Sequence, residues 1–390
     1  MLSMGCFHNL PSIAGHETSR LMSVSITSPR LTARHTPFDV LRGLVIVLMA
    51  LDHVRGFIAP MGANPTDFDS TTVSFFLVRW VTHLCAPSFV FLMGVAAALR
   101  FAAKPDDTRG FLLKRGLWLI VLEATWVSFC WTWDISKTYL GVLWALGACM
   151  VLLSVLCRTS SRAFIAIGLA LILGLEWANF QPDQGLLRML VQPGSVSILG
   201  HRVGSAYAPL PWLGVAALGW GMSSWLVRAT GSQLRMLGAA MLAIFVAYRA
   251  TGWTDPDPWT EHGRLAMTAA DFVNPSKYPP SLCFVLMTLG VAVVLLSGPL
   301  RGTGRINGVL EIFGRVPMFF YLLHLPLAHI LANVFAWSVF GSTRVPGTEP
   351  VSIALIVTAW AVVVGMLWPV CRAWDDLKRR RRDLRWLSYL

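Results

Sequence analysis

Ten apolar runs of membrane-crossing length constrain this chain more than any other feature. They fall at roughly 37–58, 73–99, 113–133, 139–157, 163–179, 209–227, 236–252, 279–298, 308–337 and 351–372. Each approximates the ~20 residues that a helix needs to cross ~30 Å of hydrocarbon. Of the 390 residues, 55% are hydrophobic and only 13% are charged, against about 25% charged in soluble domains. No soluble core hides that much apolar surface, so the bilayer is the solvent and backbone polar groups must pair within the chain. The expected fold is an all-α membrane protein, a polytopic bundle of about ten transmembrane helices. The ninth run is longer than a span requires; it must tilt, kink or begin in the interface, with Pro317 and Pro326 as break points.

Lys and Arg set the orientation. One series of alternate connections carries Arg100, Lys104, Arg109, Lys114 and Arg115, then Arg158 and Arg162, Arg228 and Arg235, and Arg301 and Arg305. Arg20, Arg30 and Arg34 before the first run, and Arg372 and Lys378 through Arg382 after the last, fall on the same side. The positive-inside rule then places both termini in the cytoplasm, N-in/C-in, in what reads as a bacterial inner membrane. Residues 1–35 are polar and mixed and have no apolar signal core, so they read as a disordered cytoplasmic tail, with Met22 as an alternative start. The helical domain is expected over 36–373 and a basic cytoplasmic tail over 374–390. The net charge of +12 lies in short inter-span segments, a pattern of topology rather than of nucleic-acid binding. The seven cysteines form no CxxC pair and no metal spacing, so neither a disulfide framework nor a metal site is expected.

Ionisable residues inside the membrane are expensive, and they mark function by default. In the first run Asp39, Arg42, Met49 and His53 share one helical face, and Asp39 and Arg42 can pair at i,i+3. Asp52 and His53 stand about 15 Å further along the helix. In the second run Arg79 and His83 share a face, and the connection between the two runs carries Asp67 and Asp69. His53 and His83 are therefore expected at similar depth, facing one cavity. Neutral imidazole takes a proton from a hydroxyl or amine, and a carboxylate on its other nitrogen holds the tautomer. The candidate catalytic residues are His53, His83, Asp52 and Asp67. The ninth run adds Arg315, Tyr321, His324 and His329, with Tyr321 and His324 on one face. Before the eighth run, Pro279 and Pro280 stiffen a turn next to Lys277, which can face a site.

Several of these segments resemble the heparan-alpha-glucosaminide N-acetyltransferase-like membrane proteins. The first is Phe38-Asp39-Val40-Leu41-Arg42-Gly43 with Leu51-Asp52-His53; the second runs from Arg79 to Pro87, with Phe89 to Gly94. The later ones are Leu210-Pro211-Trp212-Leu213-Gly214 and Phe313 to His324, so that the resemblance covers roughly residues 36–335. It implies transmembrane acyl transfer from cytoplasmic acetyl-CoA, the cosubstrate, to an acceptor across the membrane. In the lysosomal member the acceptor is a terminal glucosamine amine. It also implies an active site on the first two bundle helices and their connection, where His53, Asp67 and His83 fall. That member's catalytic histidine lies in the connection, whereas residues 59–72 here hold none; His53 stands in place of an Asn and His83 in place of an Asp.

The implied partners are acyl-CoA, a sugar or glycan acceptor and the lipid bilayer, without nucleic acid; a homodimer stays open. CoA is a polyanion, so the residues taken to bind it are Arg42, Arg79, Arg315, Tyr321 and His324, with Arg79 or Tyr321 also suited to an oxyanion. No phosphate-binding Gly-rich loop and no GxSxG elbow is present. The alternative is a proton-coupled transporter or flippase of a small solute or lipid-linked sugar, since intramembrane Asp, His and Arg also build proton pathways. Against it, no internal repeat is evident.

Overall fold

Each apolar run forms helix, because a backbone in hydrocarbon must satisfy its own hydrogen bonds. The computed structural model describes residues 36–177, 185–252, 255–381, 383–384 and 386–387; the expected tail over 1–35 lies outside them. The chain begins with α1 (Thr36–Ile58), α2 (Val73–Val81), a 3₁₀ turn (Thr82–Leu84) and α3 (Cys85–Ala103). Next come α4 (Pro105–Leu122), a π turn (Glu123–Val127), α5 (Ser128–Thr132), β1 (Lys137–Leu140), α6 (Val142–Leu156) and α7 (Ser161–Trp177). Then follow α8 (Gly185–Val191), β2 (Gly194–Ile198), β3 (His201–Ser205), α9 (Pro209–Arg228), α10 (Gly231–Ala250) and α11 (Leu265–Phe272). The last elements are α12 (Leu282–Ser297), α13 (Arg305–Arg315), α14 (Pro317–Phe340) and α15 (Ile353–Arg380). Among the described residues, five stretches are long and apolar enough by themselves to cross a membrane: Val73–Ala103, Pro209–Arg228, Gly231–Ala250, Pro317–Phe340 and Ile353–Arg380.

The all-α expectation needs one amendment. β1, β3 and β2 form a small sheet in that order, with β1 parallel to β3 (Lys137 opposite Arg202, Leu140 opposite Ser205) and β2 antiparallel to it. It is made mainly from connections, with only Tyr139 and Leu140 of β1 belonging to an apolar run, so hydropathy gave no sign of strand pairing.

The ninth run is two helices. Val316 breaks it ahead of Pro317, whose fixed φ and missing N–H suit the first turn of α14. α13 then crosses α1 closely. A Cβ on Gly43 would stand 1.7 Å from the Leu310 carbonyl oxygen, and one on Gly314 would stand 1.7 Å from that of Asp39. Only glycine permits this approach of two backbones. α3 and α9 meet in the same manner, Gly94 against Ala216 and Gly219 against Phe91. α15 continues through Arg380, past residue 373 where the basic tail was expected to begin. Asp375 accepts from both Arg315 and Arg379, which ties the end of α15 to α13.

Burial sorts the helices. Two-thirds of the apolar window of α9 is buried, against 17% for α10 and for α15, so α9 is central and the other two face outward to lipid. α1 is buried along most of its length, packed by α3, α13, α14 and α15. Its polar residues are therefore held inside protein.

Gly314→Ala should force α1 and α13 apart and cost at least about 1–3 kcal/mol, as overpacking does. A lowered thermal unfolding midpoint in detergent, against an unchanged one for alanine at the open position Gly56, would register it.

Candidate active site

Three helix irregularities, each with a local cause, shape the site. Pro87 cannot donate to the carbonyl four residues back, that of His83, and the chain tightens into the 3₁₀ turn Thr82–Leu84 between α2 and α3. Thr82 caps that break by donating its hydroxyl to the Arg79 carbonyl at 2.7 Å. Pro326, inside α14, likewise leaves the Leu322 carbonyl without its helical donor. The indole Nε1 of Trp126 donates to that carbonyl at 3.0 Å. Trp126 belongs to the π turn, which also turns Glu123 inward, where it is completely buried. Glu123 accepts from the backbone N–H of Gly141 at 3.0 Å and of Leu143 at 2.7 Å, so it caps the start of α6.

Between these elements lies a chamber of about 140 Å³, lined by Met49, Asp52, His53, Thr82, Cys85, Ala86, Trp131, Tyr139, Gly141, Val142, Tyr207, Lys277, Tyr278 and Tyr321. A second cavity of about 210 Å³, almost wholly apolar, abuts it; Ile46, Phe89, Leu92, Met93, Leu119, Leu146 and Met150 are among its walls. Met49, Val142 and Tyr321 line both. Arg42 and Arg115 also line the apolar cavity. Arg42 sits near the start of α1, about two turns before Met49. The two cavities are thus successive along α1: arginines, an apolar passage, then a polar chamber.

His53 lines the polar chamber. Its Nδ1 lies 2.7 Å from Nε2 of His324, and the two rings are nearly parallel, with centroids 5.0 Å apart. Nδ1 of His324 lies 3.0 Å from the Phe320 carbonyl oxygen. A carbonyl only accepts, so His324 donates from Nδ1 and its Nε2 accepts. His53 must then donate from Nδ1, which leaves its Nε2 with a lone pair. Trp131 and Tyr321 pack edge-on against the His53 ring, at 4.9 and 6.1 Å. The ring is held in tautomer and in orientation with an unprotonated nitrogen, which is what a general base needs.

Asp52 is committed to cations. Its Oδ1 accepts from Arg55 at 3.0 and 3.2 Å, and its Oδ2 accepts from Arg79. It does not orient His53; His324 does. Opposite stands the segment before α12. Arg249, almost fully buried, donates to the carbonyls of Asp257, Asp271, Phe272 and Asn274 and pairs with Asp255. Asp255 accepts from the backbone of Ser276 at 3.0 Å and from the hydroxyl of Ser281 at 2.7 Å. Tyr278, between those anchors, donates to the Tyr207 hydroxyl at 3.2 Å. Burial alone would raise the Tyr278 phenol, but Lys277 and Arg79 beside it outweigh that and hold it below the usual phenol value. Burial, with the neighbouring Tyr278 phenol, leaves Tyr207 well above it.

The sequence-derived candidates divide. Asp52, His53, Tyr321 and, behind His53, His324 converge on the chamber; Arg79 reaches it through Asp52. His83 is not among the residues lining it. It is buried against Phe284 of α12, ring centroids 5.5 Å apart, and its Nδ1 has no hydrogen-bond partner among the described residues. The 3₁₀ turn is the reason: at three residues per turn it shifts the face that the α-helical spacing from Arg79 anticipates. Asp67 accepts from the Ser70 hydroxyl and the Asp69 backbone within its own exposed connection. Arg42 lines the apolar cavity and pairs with Asp39 as its spacing allows, and Arg315 is held by Asp375 and Glu311.

Glu123 was legible by the rule that singles out Asp52, as an ionisable residue within an apolar run. Trp131, Tyr139, Tyr207 and Tyr278 were not, because aromatics at membrane interfaces need no special role.

A buried chamber that holds an oriented imidazole shares walls with an apolar cavity lined at one end by arginines, an arrangement compatible with group transfer. The chain matches the family of heparan-alpha-glucosaminide N-acetyltransferase catalytic domains over residues 34–254, more than half its length, and belongs to that family. It is accordingly an integral membrane protein of the acyltransferase class. No curated protein matches the chain. The matched segment ends before Lys277 and His324, so part of the chamber is supplied by helices beyond it.

Trp126→Phe should leave the Leu322 carbonyl unsatisfied where no water replaces the indole, at about 1–3 kcal/mol. Thermal unfolding in detergent should show that loss, and Trp126→His should recover part of it.

Proposed function

We propose that the protein carries an acyl group, acetyl in the first instance, from acyl-CoA on the cytoplasmic side to a hydroxyl or amine of a sugar or glycan acceptor beyond the membrane. The contiguity of the two cavities through Met49, Val142 and Tyr321 carries this proposal. Arg42 and Arg115 would meet the phosphates of CoA, since guanidinium pairs well with phosphate oxygens. The pantetheine arm would occupy the apolar passage and bring its thioester to His53. The topology that fits is ten spans in a bacterial inner membrane with both ends in the cytoplasm, because α1 then runs outward from Arg42 to His53.

In this mechanism Nε2 of His53 takes the proton of the acceptor hydroxyl or amine as that group attacks the thioester carbonyl. The tetrahedral intermediate collapses, the carbon–sulfur bond breaks, and the departing thiolate takes the proton from the imidazolium. His324 keeps Nδ1 of His53 hydrogen-bonded throughout, and so acts as a positioning residue. Asp52 balances charge through Arg55 and Arg79 instead of touching the base.

Purified protein in lipid nanodiscs should release CoA from acetyl-CoA when an amino sugar such as glucosamine is supplied. His53→Ala should lower kcat by about 10²–10⁴-fold, the range of general-base contributions. Arg42→Ala with Arg115→Ala should raise KM for acetyl-CoA and leave kcat near wild type, the signature of lost uniform binding. Absence of CoA release by the wild type, together with solute flux lost in His53→Ala, would sink acyl transfer and favour transport.

A further inference from the structure

A general base is half of an acyl transfer; the oxyanion formed at the thioester carbonyl needs a donor. Several donors in the chamber wall are already committed, and Tyr321, which lines both cavities, offers a neutral hydroxyl without charge. The backbone N–H groups of Gly141 and Leu143, at the start of α6, point to the carboxylate of Glu123. The guanidinium groups of Arg55 and Arg79 are paired to Asp52. Lys277 lines the same chamber as His53 and, among the described residues, forms no ion pair. Its Nζ stands 5.1 Å from the ring centroid of Tyr278 and 5.9 Å from that of Tyr207.

The segment that carries Lys277 is braced by its neighbours, while the Lys277 ammonium itself hydrogen-bonds the Tyr278 hydroxyl. Asp255 holds Ser276 and Ser281, the backbone of Ser281 donates to the Ser276 carbonyl at 3.0 Å, and Glu176 accepts from Leu282 at 2.8 Å. Lys277 and Pro280 form an isolated bridge within it. A stiff segment that presents to the cavity a cation held by a neutral phenol, with no carboxylate partner among the described residues, is preorganised for developing negative charge.

We propose that Lys277 stabilises the tetrahedral oxyanion, and is thus a catalytic residue of the acyl transfer proposed above, on which this assignment rests. The thioester carbonyl oxygen takes the electron pair as the acceptor attacks, the Lys277 ammonium donates to it, and the pair returns when the carbon–sulfur bond breaks. No proton leaves Lys277 in the cycle.

The test compares wild type, Lys277→Met and Lys277→Arg in nanodiscs, with acetyl-CoA as donor and glucosamine as probe acceptor, reading CoA release and the thermal midpoint. Lys277→Met should lose about 10²–10³-fold in kcat, as loss of one oxyanion donor does, with KM for acetyl-CoA and the midpoint unchanged. Lys277→Arg, which keeps the charge, should recover a clear part of that rate and also decides the matter if the methionine variant does not fold. A Lys277→Met enzyme with near-wild-type kcat overturns the assignment, and so does one altered only in acceptor KM. A folded Lys277→Arg as slow as a variant without charge also overturns it. A wild type that releases no CoA instead removes the acyl-transfer proposal itself, an outcome distinct from an active wild type indifferent to Lys277.

Discussion

The hydrogen bond from His53 to His324 is the contact on which the site depends. It joins α1 to α14 in the interior of the bundle, and its direction is imposed by a backbone carbonyl, that of Phe320, which can only accept. A chain of two imidazoles anchored in this way has one neutral arrangement, and it leaves the outer nitrogen of His53 unprotonated. An Asp in the place of His324 would also orient the ring. It would, however, bring a charge into a region where ionised groups cost several kcal/mol unless paired. The neutral partner avoids that cost.

The same economy of satisfied polar groups runs through the bundle. Each proline that interrupts a helix leaves a carbonyl unsatisfied, and hydrocarbon offers no water to replace the lost donor. Trp126 serves the carbonyl released by Pro326, so the π turn that presents Trp126 is coupled to the bend of α14 near His324. Glu123, on the same turn, closes the start of α6. The elements around the chamber are therefore joined by specific hydrogen bonds, whereas the outward faces of α10 and α15 pack nonspecifically against lipid. Rigidity is concentrated where a base must keep its place.

Charge is distributed in a way that separates binding from chemistry. Asp52, Arg55 and Arg79 form a closed group beside His53, as Arg315, Asp375, Glu311 and Arg379 do at the other end. Arginine and carboxylate inside such groups fix helix positions. Arg42, which also pairs with Asp39, and Arg115 line the apolar cavity, and Lys277 lines the chamber. The sequence alone could not separate these uses, since a guanidinium in a network and one at a cavity mouth have the same local pattern.

What the sequence by itself determined is the class of fold and the elements that carry the site. Long apolar runs require helices in lipid, and the ionisable residues within them, Asp52, His53 and His324, mark where polar groups are retained. Tertiary structure decided the pairing. His53 meets His324, 271 positions away, and not His83, because the 3₁₀ turn imposed by Pro87 changes the face that His83 presents. It also decided that the ninth run divides at Val316, where Gly43 and Gly314 let α13 cross α1, and that connections supply a sheet and the segment bearing Lys277. Periodicity reports which residues share a face of one helix. Which faces meet depends on backbone approach and on irregular turns, and those exist only in the assembled bundle.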